Sequence, residues 1–414
     1  MSLRVASLLC WGVLVGCNVT AAGTTGGADL PSRGDCPRGL ALVSGDYSSS
    51  ELALLTPEGN VASAAFLSSA STRTSGLAAP LSGDVGVASA RPRSRELVVV
   101  DRFGTDVLSF VDTKTAQVRA QLPIGTGFEA NPQDYLEVDE SLAFVPRLGE
   151  NRSPGSEPFD AGSDVLVIDP SVPEITASVA MPRKDGYLPN PSEISRLGDD
   201  VLVTLVHEND DFSAMADSEL VALSVKNAEV RYQLPLVGLK NCGRAELSPS
   251  GARLALACSG FIDRQGNVPE PGASGLVLLD ATTDPPSEVQ RFPALELLQQ
   301  PLQGSVEFVD ERRVLLKTQT AIGGKQDNAL YVVDLETGAP KRLATAGRDA
   351  AGAGFGIALG GMHCDRGCGA HCFVADASRG QLLTFSVDAH DLKPAEPVTT
   401  GGAGLPPIGI TPLF

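Results

Sequence analysis

The stretch HCDRGCGAHC, residues 363–372, sets Cys364, Cys368 and Cys372 four residues apart, with His363 and His371 beside the outer two. Thiolates and imidazoles in one short segment suit either a metal cage or a set of disulfides, which need opposite redox conditions. The C-x3-C-x3-C spacing departs from the C-x2-C knuckles of zinc sites. A second pattern is spread over the middle of the chain. Asn131, Asn190 and Asn241 are each followed, three residues later, by Asp134, Glu193 and Arg244. Two carboxylates, a guanidinium and three amides around one opening would hold a small polar ligand or a divalent cation. Asn before Pro, as at Asn131 and Asn190, is also ordinary turn chemistry at a strand entrance. His207 beside Glu208 offers a base, although a histidine in the acidic loop HENDD reads more simply as solvated. Asp210 and Asp211 lack the DxDxDG frame of a calcium loop.

Whether such groups meet depends on the elements that carry them. Segments beginning at Glu51, Asp106, Asp164, Glu219, Gly275, Ala329 and Gln381 share one pattern, an apolar strand, a turn rich in Asp, Thr, Pro or Gly, and an alternating strand. DVLSFVDTKTAQVRAQL and ALYVVDLETGAPKRL are two of them, and successive starts lie 52 to 58 residues apart. Period-two alternation at that spacing excludes helical repeats. Each unit follows another apolar strand, such as ELVVVDR or RLALACSG, and six of those follow a short strand with a tight turn. Four antiparallel strands per unit make an all-β, seven-bladed β-propeller over residues 36–414. The first unit lacks its innermost strand, and PIGITPLF at the carboxyl end has the form to supply it, with Ile408 to Phe414 expected against Ala41 to Ser44. A ring closed in this way leaves no free sheet edge, so a monomer is expected.

The segment LVVVDRFGTDVLSFVDTKTAQVRAQLPIGTG, residues 97–127, resembles the repeat of YVTN-type seven-bladed propellers. The resemblance implies the fold and an extracytoplasmic setting, and no particular activity.

The amino-terminal residues give an address. One charge at Arg4, an apolar run from Val5 to Val15 and Gly16 before Cys17 form a secretory signal, too short to span a bilayer. Leu14-Val15-Gly16-Cys17 resembles the lipobox of bacterial lipoproteins. That implies cleavage of residues 1–16 and lipidation of Cys17, and Asn18 in place of Asp favours the outer membrane by the same resemblance. Residues 17–35 are rich in Gly, Thr and Ala and read as a flexible tether. The expected location is the bacterial cell envelope, on either side of the outer membrane, held by the lipid alone.

Such a compartment preserves disulfides. Cys242 and Cys258 lie symmetrically about Ser250 in NCGRAELSPSGARLALACSG, facing each other across the inner hairpin of blade five. In blade seven the same hairpin carries the enlarged loop GGMHCDRGCGA, near the point where Cys36 enters blade one. The preferred pairs are Cys364 with Cys372 and Cys36 with Cys368, with Cys36 to either other loop cysteine remaining open. His363 and His371 then read as solvated loop residues.

A formal charge of −18 opposes nucleic-acid binding. The only tryptophan, Trp11, lies in the signal, so tryptophan-based carbohydrate platforms are excluded. Loops between second and third strands are short in blades one, two and seven. They are long and polar in blades three to six: RLGENRSPGSEPFDAGS, HENDDFSAMADS, GFIDRQGNVPEPGAS and QTAIGGKQDN. Long loops on one face of a rigid scaffold are where binding commonly resides. The leading reading is therefore a lipid-anchored, non-enzymatic binding or scaffold module that takes a protein, envelope component or small ligand through the upper face of blades three to six, with no cofactor. The alternative is a metal-dependent lactonase-like hydrolase, because gluconolactonase-type propellers use Glu, Asn and Asp around a divalent cation.

Overall fold

The computed structural model describes residues 36–71, 76–89, 96–263, 267–319, 328–346, 358–366, 368–389, 391–400 and 404–413. The signal, Cys17 and the tether lie outside the described residues, as do 320–327 of the blade-six loop, His390 and Phe414.

Seven antiparallel sheets follow one another along the chain. Their second and third strands are the continuous apolar runs, such as Leu97–Asp101 and Val107–Asp112, and nearly every residue in them is buried. A strand covered on both faces has no solvent side for polar residues, whereas the outer strands, such as Val230–Pro235, remain largely exposed. Opposite faces of one strand serve different neighbours. In the second strand of blade one, Leu40 and Leu42 pack with Phe373 and Leu382 of blade seven, while Ala41 and Val43 pack with Leu97 and Val99 of blade two. The same arrangement fills each gap around the ring, so seven apolar clusters join seven sheets pairwise. Each fully buried Leu, Val or Phe contributes about 1.5–3 kcal/mol through burial, so the inter-blade gaps are the core.

The ring closes as expected. Strand Pro407–Leu413 pairs antiparallel with Gly39–Gly45, setting Thr411 opposite Ala41 and Gly409 opposite Val43. Blade one is thus built from both ends of the described chain.

Local chemistry explains why the units look alike. In the outer hairpins of blades two, three, five and six, Asp112, Asp169, Asp280 and Asp334 accept the main-chain N–H two residues ahead. These Asx turns fix the reversal, and hydrogen bonds from the hydroxyls and N–H groups of turn residues help hold the four carboxyls below the ordinary range. Blade seven departs from the pattern, because its outer strand is split into Leu392–Pro394 and Val398–Thr399, both paired with Gln381–Val387. The break falls in KPAEP, where proline cannot donate to the ladder.

Candidate functional site: the axial channel

The inner strands of the blades converge on the axis, and each starts at the face bearing the loops between second and third strands, here the upper face. Asn131, Asn190 and Asn241 stand at three of these entrances with φ of 48°, 46° and 50°. Asparagine accepts this left-handed conformation more readily than other non-glycine residues. The tight entry brings the strand onto a repeated latch. Asn131 N–H donates to Asp106 Oδ1 of the preceding blade at 2.9 Å, Asn190 N–H to Ser163 Oγ at 3.0 Å, and Cys242 N–H to Ser218 Oγ at 3.1 Å. The asparagine side chains are engaged as well. Asn190 Nδ2 donates to Leu148 O and its Oδ1 accepts from Glu208 N–H, Asn241 Nδ2 donates to Ser259 Oγ, and Asn131 Oδ1 accepts from Gln133.

The expected ring of six therefore separates into two tiers. The amides brace strand entrances, and the charged residues three positions on reach the axis. Asp134 is fully buried and accepts from Ser89 N–H at 2.9 Å and Tyr135 N–H at 2.8 Å. Glu193 lies beside it, and burial, followed by the neighbouring Asp134 charge, pushes its carboxyl up to about 7. Burial raises Asp134 too, and each acid's charge opposes ionisation of the other. Arg244 donates to Ser89 O at 2.5 Å and pairs with Glu246 at 2.7 Å. Ser89 thus links Asp134 and Arg244 through its two main-chain groups.

Toward the lower end, the charges continue as a chain. Arg366, just beyond the inner strand Leu359–Cys364 of blade seven, pairs with Glu246 of blade five and with Glu307 of blade six, the latter at 3.1 Å. It also donates to the carbonyls of Leu247 at 2.9 Å and Phe308 at 3.1 Å. The loop carrying Arg366 is fixed by disulfides Cys364–Cys372 and Cys36–Cys368, and the third bond, Cys242–Cys258, crosses the inner hairpin of blade five. Gly243 N–H to Ala257 O and Ser259 N–H to Asn241 O flank that bond, the signature of a non-hydrogen-bonded pair. All six described cysteines are thus in disulfides, which fit an oxidising compartment. Among the described residues no helix is long and apolar enough to cross a membrane.

Around the axis lies a cavity of about 410 Å³, lined by Glu193, Arg244, Lys317, Glu307, Gln133 and Gln303 and by inner-strand glycines of blades six, seven and one. Lys317, on the second strand of blade six, donates to the carbonyl of Gly360 in blade seven, and burial alone pulls its ammonium down to about 7.

No family model matches the chain, and no curated protein matches it. Solved structures do resemble it. A protein from Lactobacillus plantarum superposes with a TM-score of 0.58 at 11% identity, over 91% of this chain and all (100%) of the other. A "putative 6-phosphogluconolactonase" from Bacteroides uniformis gives 0.56 at 10% identity, over 90% and 99%. The β-propeller domain of Cps50 from Myceliophteria thermophila gives 0.53 at 13%, over 84% and 93%. The fold is the seven-bladed β-propeller. At these identities the likeness extends to architecture alone.

Several residues of this propeller sit differently from the sequence expectation. His207 is not solvated. It is fully buried, with Nε2 3.3 Å from Glu219 Oε2. His363 and His371 are not loop residues either, because the hairpin loop is shorter than GGMHCDRGCGA suggests. Gly360, Gly361, Met362 and His363 belong to the inner strand, and His371 opens the next. His363 faces the cavity and meets Asp365 at 2.9 Å. Arg147 opens the long loop of blade three in the sequence but lies fully buried in the second strand, paired with Asp164 at 2.7 Å. The loop beyond is held by Asp160, which accepts the N–H groups of Gly155, Ser156 and Glu157. Asp211 Oδ1 accepts from Ser213 Oγ at 2.6 Å. In the asparagine ring Asn131 Oδ1 and Asn190 Oδ1 already accept hydrogen bonds, and the Arg244 charge acts on Asp134 and Glu193. Among the described residues no three His, Cys, Asp or Glu side chains cluster for a metal.

Sequence reasoning missed Lys317, Glu246, Glu307 and Arg366. A signal was present: Lys in RVLLKT and Glu in AEL and VEF interrupt apolar strands, and charges there must be paired or face an opening.

Proposed function

We propose that this propeller is a non-enzymatic binding module of the bacterial envelope, of the YVTN type, tethered by lipid on Cys17. A small polar ligand enters the axial channel from the upper face, framed by the long loops of blades three to five. The observation that carries this reading is the axial cavity itself, where Arg244, Glu246, Arg366 and Glu307 are fixed by one another before any ligand arrives. A preformed polar pocket binds with little reorganisation, which favours affinity. The lactonase reading has less support, because Asn131 Oδ1 and Asn190 Oδ1 already accept hydrogen bonds from Gln133 and Glu208.

The test uses protein beginning at Cys36, incubated with a small-molecule extract of bacterial envelopes, desalted and weighed by native mass spectrometry. The expected result is a retained adduct that Gln303→Trp, which fills the cavity, abolishes. Absence of any adduct, or metal-dependent lactone hydrolysis lost in Asp134→Asn, would overturn the proposal.

A further inference from the structure

Among the described residues, the cations lining the channel other than Lys317 have carboxylate partners. Arg102 pairs with Asp84, Arg244 with Glu246, and Arg366 with Glu246 and Glu307. Lys317 is 3% exposed, and among the described residues its partners are the main-chain carbonyls of Gly360 and, at 3.5 Å, Leu359. Carbonyl dipoles orient an ammonium without neutralising it, so a buried Lys held this way favours an incoming negative charge. A second observation points to the same place. Ser305, on the inner strand Leu302–Phe308 of the same blade, carries a buried Oγ with no hydrogen-bond partner among the described residues. Buried hydroxyls are normally satisfied, and this one belongs to a residue that lines the cavity that Lys317 lines.

Part of the cavity wall is bare main chain. Gly304, Gly360 and Gly361 line the cavity without side chains. A Cβ at Gly360 would lie 2.5 Å from Ile408 O and one at Gly361 2.7 Å from Ile410 N, so the inner strands of blades seven and one touch main chain to main chain. Any larger residue would break that contact.

The remaining lining defines the rest of the ligand. Glu193 and Glu307 face the same space, so a dianion such as phosphate would set its second charge against them. Glu307 is occupied by Arg366 and by Cys364 N–H, whereas among the described residues the groups acting on Glu193 are the acid of Asp134 and the guanidinium charges of Arg244 and Arg102. A cation there would favour the anionic form of Glu193.

We propose that the channel binds a small amino carboxylate, with its carboxylate on Lys317 Nζ and Ser305 Oγ and its ammonium on Glu193. The inference rests on the binding reading and names its ligand class. A cavity of about 410 Å³ accommodates such a molecule.

Titration calorimetry on protein beginning at Cys36 tests it, with linear amino carboxylates from glycine to 6-aminohexanoate as probes and acetate, ethylammonium and inorganic phosphate as controls. One or more amino carboxylates should bind saturably, about tenfold or more tighter than any control, and Lys317→Met and Glu193→Gln should each weaken binding about tenfold or more. Thermal unfolding checks that each variant is folded, and Ser305→Ala, which removes one oxygen, provides a milder variant that should also weaken binding. Silence of the whole series, tighter binding of phosphate, or unchanged affinity in folded Lys317→Met would overturn the inference. A silent series alongside an adduct in the native mass spectrum sinks the ligand class alone, whereas a silent series with no adduct sinks the binding reading with it.

Discussion

Glu193 shows how one side chain carries both the electrostatics of the channel and a measurable cost to the fold. Its acid is raised from 4.5 to about 7, chiefly by burial and then by Asp134, so the native state keeps a proton that the unfolded chain has released. Stability from this group is complete below about pH 4.5 and is lost as pH rises through about 7. Urea unfolding at pH 5 and pH 8 should therefore show the wild-type protein losing about 1–3 kcal/mol more than Glu193→Gln across that interval. An equal loss in the two proteins would mean that Glu193 is ionised throughout. Glu208, also pushed up to about 7, titrates in both and cancels in the difference. At this scale the sequence was half legible. The i, i+3 spacing of Asn131 to Asp134, Asn190 to Glu193 and Asn241 to Arg244 located the axial charges, because equal distance from a repeated turn means equal height on the strand. The role of the asparagines did not follow, since a left-handed strand entrance and a ligand amide look the same in one-letter code. Lys317 and Arg366 were hidden for another reason. The partner of Lys317, Gly360 O, is a main-chain atom of another blade, and the partners of Arg366, Glu246 and Glu307, come from blades five and six, so neither pairing shows within one repeat.

The element that matters most to the channel is the hairpin loop of blade seven. Short loops are normally mobile, yet this one must hold Arg366 across to blades five and six, and its two disulfides supply the restraint. Cys364 joins the two constraints directly, since it is bonded to Cys372 while its N–H donates to Glu307 Oε1 at 3.0 Å. Replacing both Cys364 and Cys372 by Ala should cost about 2–3 kcal/mol in urea unfolding, the value expected for so short a closed loop. Hydrogen exchange carries the more specific expectation. The main-chain N–H at position 364 should exchange faster in the double variant while strands in blades two to four keep their protection, and unchanged exchange there would mean that Arg366 alone fixes the loop. The pairing itself was legible from symmetry about Ser250 in blade five and from the shared end of the molecule in blade seven. The loop boundary was not, because GGMH has no strand propensity of its own. Gly360 and Gly361 lie in the strand because Ile408 and Ile410 of the closing strand press against them, a contact between positions far apart in sequence.

Across the whole molecule, closure decides whether seven sheets behave as one fold. The period of the repeat exposed the blade count, since every gap needs apolar residues on both faces of the middle strands, and that demand is written into each unit. It also exposed the missing inner strand of blade one. Pro407–Leu413 fills that place with the same antiparallel pairing that a hairpin gives the other blades, and Arg38 N–H donates to Leu413 O at 2.7 Å. The chain end and the start of blade one are thus adjacent, with Gly39 opposite Leu413. If closure were a special device depending on a free carboxyl end, joining these points would disrupt it. If it is an ordinary inner hairpin that happens to be cut, a permutant linking Leu413 to Arg38 through Asn-Gly and starting at Gly404 should fold normally. Such a permutant drops Cys36, so Cys368→Ser removes the thiol left behind, and the proper reference is the uncut chain carrying Cys36→Ser and Cys368→Ser. The two should unfold within about 1 kcal/mol of each other, because both bury the same surfaces and the link only shortens a loop that was already closed by pairing. Deleting residues 407–414 instead removes the partner of Gly39–Gly45, uncovers a hydrogen-bonding edge at the channel and should give aggregation or loss of the cooperative transition. A deletion variant that unfolded like the wild-type protein would show that the ring is held by its seven inter-blade cores without the seam.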